Sequence, residues 1–226
     1  MKFFFLVLLV FSSCVFAQNK IDLRKTPDKA FGHYLAEVFD IAYREIGYEI
    51  NYVDLPFVRE VDLAVKSELG GVLARDIVIG AKERSLTRVN IPLFSYEVIM
   101  LANTKVCGTC EYDSLEIVGY PRGGEIYQAH VDNLPDKINK VAIGGVDNLT
   151  KMLEKGRVDA IIFSDILLAE ELLDNPDLLI LILEKRFDYH YLAPAYKHLK
   201  SPLEQTLQNM VNTGKLAELK NKYGIN

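Results

Sequence analysis

The chain of 226 residues has no tryptophan, only four histidines and three cysteines, and eight prolines. Each scarcity excludes something. Four scattered histidines and so few cysteines, with no paired ligand spacing, offer no zinc site. There is no Gly-x-Ser-x-Gly elbow and no histidine in an evident base context, so hydrolytic chemistry has no motif. A nucleotide site would need a full glycine fingerprint or a phosphate-loop lysine, and neither is present. Charge of one sign is also missing: the net value is -5, with acids and bases interspersed. That excludes the basic stripe expected of a nucleic-acid or anionic-lipid binder. After residue 17 no apolar run approaches the roughly 20 residues of a membrane helix. The longest, Leu178 to Leu183, has the length of a buried strand.

What is present begins with an export signal. Lys2 precedes an apolar run from Phe3 to Phe11, and small residues lead to Val15-Phe16-Ala17 before Gln18. This is the pattern of a signal peptide over residues 1–17 and implies a periplasmic location. An uncleaved anchor and lipidation at Cys14, in Phe11-Ser12-Ser13-Cys14, are the alternatives. Cleavage would leave Cys107 and Cys110, whose oxidation an exported location favours. The mature length suits one large or two small domains.

One device occurs twice: an amphipathic helix, a glycine, a short apolar strand, then a charged residue. The first copy runs from Val61 through Gly70-Gly71 to Arg75, and the second from Leu149 through Gly156 to Ser164-Asp165. Two half-proteins of similar design are implied. In open α/β sheets ligands bind beyond the carboxyl ends of the strands, which puts Arg75 and Ser164-Asp165 where a ligand would be met.

Periodicity and punctuation predict a helix over 28–46, started by Thr26 or Asp28 and closed by Gly47, then a strand over 48–53. A helix over 59–69 leads into a strand over 71–74, and a strand over 91–102 leaves the first lobe. Strands over 116–120, 141–143, 158–163 and 178–183 alternate with helices over 123–130, 148–154 and 165–173. Residues 189–192 cross back, and helices over 202–211 and 215–223 finish the chain.

This order resembles the small bacterial extracytoplasmic solute-binding proteins of the amino-acid-binding class (family 3). The residues that carry the resemblance are Glu68 to Arg75, Ile117-Val118-Gly119-Tyr120 with Arg122-Gly123-Gly124, Gly156 to Ile162, and Tyr189-His190-Tyr191-Leu192 ahead of Gly214-Lys215-Leu216. The resemblance implies a type II periplasmic binding fold: α/β, with two Rossmann-like lobes joined by two crossing strands. Lobe 1 would hold residues 18–101 and be completed by 195–226, and lobe 2 would hold 102–194. It also implies a small-molecule solute as ligand, an ABC transporter or sensor as partner, a monomer, and no cofactor. Relatives that grip an α-ammonium carry an aspartate where this chain has Ser164, with Asp165 following.

Candidate ligand-binding residues follow from position and chemistry. Arg75 ends a strand, where its donor fork either clamps a ligand carboxylate or pairs internally with Asp76 or Glu97. Arg84 lies in the region where relatives place their carboxylate-gripping arginine, while Arg88 is expected on the solvated surface. Arg122, Gly123 and Gly124 lie between a strand and a helix start, where a close backbone and exposed amides suit an anion or form a plain turn. Ser164 and Asp165 end the second strand copy, and Asp165 either accepts from a ligand or caps the next helix. Tyr96 is a cleft-wall candidate, and core packing is the default for Tyr96, Phe57 and Tyr120.

Cys107-Gly108-Thr109-Cys110 has redox-motif spacing, but its context reads as a structural disulfide in a surface loop. The expected function is capture of a small polar, carboxylate-bearing, amino-acid-like solute between the lobes, without catalysis. A thiol-disulfide oxidoreductase using Cys107 and Cys110, a catalytic relative of the same fold and a ligandless interaction module are the rival readings.

Overall fold

The alternation of Ile21 and Leu23 with polar neighbours makes the first strand, β1 (Asn19–Arg24), with both apolar side chains fully buried. The computed structural model describes residues 19–168, 172 and 175–225. The signal segment and Cys14 therefore lie outside the described residues. β1 pairs in parallel with β2 (Tyr48–Val53) across the intervening α1 (Ala30–Glu45). That helix buries Tyr34, Leu35, Val38, Phe39, Ala42 and Tyr43, one face at helical spacing. Gly47, at φ +83°, ends it in the left-handed conformation that glycine adopts without steric cost. Its start differs from expectation. Lys29 is the N-cap and makes no side-chain capping bond, while Thr26 Oγ1 donates to the Gly32 carbonyl at 3.0 Å.

A 3-10 turn at Phe57–Arg59 feeds α2 (Glu60–Val65) and then β3 (Gly71–Asp76). The helix is shorter than its periodicity predicts because Ser67 turns the chain at φ +59°. Gly70 donates its amide to Asp22 O at 2.8 Å and so sets β3 beside β1. A Cβ on Gly70 would sit 2.0 Å from Ile21 Cγ1, which explains the glycine at this close approach. Besides β1 and the short helix Thr104–Cys107, the sequence reading lacks α3 (Ile77–Lys82) and the two-residue β4 (Thr87–Arg88). The segment Ile77-Val78-Ile79-Gly80 has a strand's composition, and Asp76 makes it helical by capping the Val78 amide at 2.9 Å.

β5 (Phe94–Asn103) leaves for the second lobe. There α4 (Thr104–Cys107), β6 (Ile117–Pro121), α5 (Glu125–Asp132), β7 (Asn139–Ile143), α6 (Val146–Glu154) and β8 (Ala160–Ser164) follow in turn. Of the helix expected over 165–173, Asp165–Leu167 is a 3-10 turn, and residues 169–171, 173 and 174 lie outside the described residues. The strand over 178–183 and the crossing at 189–192 are one continuous strand, β9 (Leu178–Leu192). Helices α7 (Lys200–Asn212) and α8 (Lys215–Tyr223) end the chain, and Tyr223 returns to α1 by donating to Glu37 at 2.6 Å.

The second sheet runs β3-β9-β5-β8-β6-β7, with β4 added to β9. β5 and β9 pair antiparallel from Phe94↔Asp188 to Asn103↔Leu178, and so pass through both lobes. Their register shifts between Val98 and Ile99, beside Glu184 and Ile182, where the sheet passes from one lobe to the other. A register shift of this kind bends a strand and sharpens its local twist.

Candidate functional site

The carboxyl ends of β3 and β8 and the start of α5 meet at the seam between the lobes, and the middle of β9 floors it. Sequence reasoning missed most of the charged residues there. Glu60, fully buried at the start of α2, accepts from Arg24 at 3.0 Å, from Arg75 at 2.6 Å and from the Leu73 amide at 3.1 Å. Arg75 therefore does have an internal partner, but it is Glu60 and neither Asp76 nor Glu97. Its guanidinium also lies 3.6 Å from the centre of the Phe57 ring, a cation-π contact. Phe57 is 56% exposed, so it covers the arginine from the solvent side and is not a core residue. Two guanidinium groups share one carboxylate here, which leaves one positive charge over.

On the floor the balance reverses. Asp76 holds Arg186 with two bonds, from Nε at 2.6 Å and Nη2 at 2.8 Å, a bidentate pair. That contact drives the Arg186 pKa upward, with Glu184 adding to it. The remaining Arg186 nitrogen donates to Glu184 at 2.7 and 2.8 Å, and His130 Nε2 lies 3.1 Å from the same carboxylate. Asp188 faces Asp76 across the β3–β9 pairing. Its Oδ1 is the one buried side-chain oxygen or nitrogen without a hydrogen-bond partner among the described residues. Burial pushes its carboxyl up to about 7; Asp76 pushes the same way, while Arg75 and Arg186 oppose.

The predicted residues fall in several places. Tyr96 is buried and donates to Asp76 Oδ2 at 3.4 Å, so it belongs to this floor, and burial raises its pKa. Ser164, buried at the end of β8, is hydrogen-bonded to Tyr127 of α5, whose hydroxyl burial lifts to about 12. Asp165 Oδ1 accepts from the amides of Glu97 at 2.9 Å and Ile166 at 2.7 Å, so it ties β5 to the end of β8. Gly123, at φ +80°, approaches the first lobe: a Cβ there would lie 3.9 Å from Val58. Gly124 is the N-cap of α5 and leaves the first amides of that helix without a side-chain cap. The Arg122 side chain turns to the Ala142 carbonyl at 3.3 Å. Arg84 is exposed on the turn after α3 and joins none of these contacts. Arg88 is partly buried over the Tyr189 ring at 4.8 Å and bonds Asn90, not a freely solvated residue.

Cys107 and Cys110 form a disulfide. The pair is buried within the main apolar core and not in a surface loop. Cys107 also ends its helix, whereas a reactive thiol is activated at a helix start. The lobes are drawn together across the seam by an ion pair from Lys82 of α3 to Glu125 of α5. Lys29 and Asp147 add a second contact at 4.0 Å. No group of His, Cys, Asp and Glu among the described residues is arranged to hold a metal ion. Nor is any described helix long and apolar enough to cross a membrane.

The arrangement of two lobes on two shared strands is also that of known structures. ArgBP from T. maritima, as its P235GK mutant, superposes with a TM-score of 0.70 at 16% identity, over 91% of this chain and 94% of that one. The chain has the type II periplasmic binding fold. AbpA, an amino acid ABC transporter substrate-binding protein from Streptococcus pneumoniae bound to L-arginine, matches at 0.69 and 18% identity, covering 91% and 93%. The GluR0 ligand-binding core from Nostoc punctiforme, in complex with L-glutamate, matches at 0.69 and 17% identity, covering 91% and 98%. An ancestral amino-acid-binding protein described as a precursor of cyclohexadienyl dehydratase shares the fold at 0.72 and 12% identity, covering 91% and 94%. No protein-family model and no curated protein matches the sequence.

Proposed function

We propose that this protein is an exported, periplasmic solute receptor that closes two lobes on a small polar, carboxylate-bearing, amino-acid-like ligand, for delivery to a membrane transporter or sensor. The observation that carries this reading is the surplus positive charge of Arg24 and Arg75 around the single carboxylate of Glu60, at the carboxyl end of β3. It lies in the lobe opposite the uncapped amides that begin α5 at Gly124. A ligand carboxylate meets donors from both lobes there, and unpaired helix-start amides favour an anion. Entry requires the lobes to part about β5 and β9, and closure remakes the Lys82–Glu125 contact.

The reading extends to transport what the amino-acid-binding structures share as fold. It leaves Cys107 and Cys110 as structural and assigns no catalytic step. Its test is thermal unfolding against amino acids, organic acids, polyamines and sugars. A ligand at about 100 times its Kd adds about 2.7 kcal/mol, or a Tm rise of roughly 5 to 10 °C at this size. The rise is expected for one chemical class and is lost in Arg75→Ala. A panel that leaves Tm unmoved refutes the receptor.

A further inference from the structure

Resting on that reading, we propose that Asp188 accepts a protonated nitrogen of the bound solute, so that the ligand class is amines, amidines or guanidines, including amino acids, and not purely anionic acids. The argument begins with the orphaned oxygen. Asp188 Oδ1 is buried with no partner among the described residues, while the residue as a whole keeps partial exposure. A buried carboxylate oxygen without a donor costs on the order of 1–3 kcal/mol or more, and a protonated nitrogen removes that cost.

The cations near Asp188 give its Oδ1 no hydrogen bond. Arg186 spends Nε and Nη2 on Asp76 and Nη1 on Glu184. Arg75 is held by Glu60, together with Arg24. On the floor Arg186 therefore serves two carboxylates, Asp76 and Glu184, and the third, Asp188, receives none of its hydrogen bonds. Two neutral donors nearby are occupied as well: the Tyr96 hydroxyl serves Asp76, and the Tyr191 hydroxyl donates to the Asp76 carbonyl at 3.1 Å.

The site also stands in the right place. Tyr127 belongs to α5 in the second lobe, and its hydroxyl feels the charges of both Asp188 and Asp76. Asp188 is therefore addressed from both sides of the seam. Asp165 differs from Asp188, because its Oδ1 already accepts from the amides of Glu97 and Ile166. A zwitterion would set its carboxylate toward the Arg24–Arg75 hub and its ammonium on the floor.

The groups that set the ionisation of Asp188 are Arg75 and Asp76 on β3, Arg186 on its own strand, Tyr96 on β5, Tyr127 on α5, and Tyr191 further along β9. With the carboxyl at about 7 in the free protein, a cation must displace a proton below that pH. Affinity then rises about tenfold from pH 6 to pH 8, with proton release on binding at the lower pH.

The experiment is calorimetric titration of the protein purified from the periplasm after expression of the full chain. The probes are L-arginine, L-lysine, agmatine and putrescine, with L-glutamate as a zwitterion of net negative charge and succinate as a pure anion. At least one amine-bearing probe is expected to bind, Asp188→Asn to weaken it by about 30-fold or more, and the pH dependence to vanish in that variant. If Asp188→Asn does not fold, the wild-type pH profile and proton release decide alone. Binding of succinate but of no amine overturns this inference and leaves the receptor standing. So does amine binding that is flat between pH 6 and 8 or unchanged by Asp188→Asn. Binding of no probe from this or the wider panel refutes both.

Discussion

The two halves of β9 are built on opposite plans. From Leu178 to Leu183 every residue is apolar and the strand pairs with β5 alone. Leu179, Ile180, Leu181 and Ile182 remain 39% to 57% exposed. From Asp188 to Leu192 the strand lies between β3 on one side and β5 and β4 on the other, whereas Glu184 to Phe187 pair with β5 alone; alternate positions from Glu184 are Glu184, Arg186, Asp188 and His190. The apolar half is exposed, and the end of the strand that carries Asp188 and His190 is enclosed. Hydropathy alone predicts the reverse. The difference teaches that burial in this strand follows its neighbours, and that enclosed ionisable groups differ in whether the fold supplies them a hydrogen-bond partner. His190 is matched: it is fully buried, takes Tyr43 Oη at 2.7 Å and faces the Leu73 carbonyl at 3.2 Å. Asp188, two positions away, is not.

The contrast breaks most severely at His190. Replacing it with alanine leaves a cavity among Phe39, Tyr43 and Leu73 and strands the Tyr43 hydroxyl, with an expected loss of about 3 kcal/mol or more in urea unfolding. A loss below about 1 kcal/mol would show that the enclosed half of β9 does not depend on matched partners.

Stability against pH sharpens the same contrast, because the two groups pull in opposite senses. Burial lowers the His190 pKa to about 4. Its contribution is thus present above the ordinary value of about 6.5 and is lost as pH falls through 4, amounting to about 3 kcal/mol. Asp188 is raised to about 7, so its contribution is present below the ordinary carboxylate value and lost as pH rises through 7. Between pH 4 and 6.5 the two slopes oppose in the wild type. Asp188→Asn is expected to gain stability from pH 4 to 6.5, to level off above it, and to exceed the wild type at pH 8. Parallel stability curves for the two proteins, from urea midpoints at each pH, would refute the assignment.

The smallest effect belongs to the apolar half. Ile182→Thr, at a side chain 57% exposed and β-branched in both forms, should change stability by no more than about 0.5 kcal/mol. A larger loss in the same urea assay would mean that the exposed half contributes packing its exposure does not disclose.

Much of the architecture was legible because its signals are local. The glycine-punctuated copies around Gly70 and Gly156 marked the helix-to-strand joints, and the apolar run of β5 marked a chain leaving its lobe. β1 was missed although Ile21 and Leu23 alternate, since six residues after an export signal offer little context. β9 was read as two pieces because Glu184 to Arg186 interrupt its hydropathy. The candidate site was legible only in part. Arg75, Tyr96 and Ser164 were singled out from positions near strand ends and lie at this seam, but Glu60 looked like one more polar residue of an amphipathic helix. Asp76, Arg186 and Asp188 carried a signal only in hindsight, as ionisable residues at alternate positions of strands otherwise rich in apolar and aromatic ones.

The sequence by itself determined most of the series of strands and helices, the doubling of the helix-glycine-strand device and the departure of the chain through β5, because periodicity, glycine and proline act within a few residues. Only the tertiary structure decided which charges meet. Arg186 and Asp76 are 110 positions apart, and Asp188 opposes Asp76 through one register of antiparallel pairing. A slip of β9 by one residue would send both Arg186 and Asp188 to the other face of the sheet. Which carboxylate is neutralised and which is left wanting is therefore a property of the closed sheet, where long-range register and lost solvent set the energy of every charge.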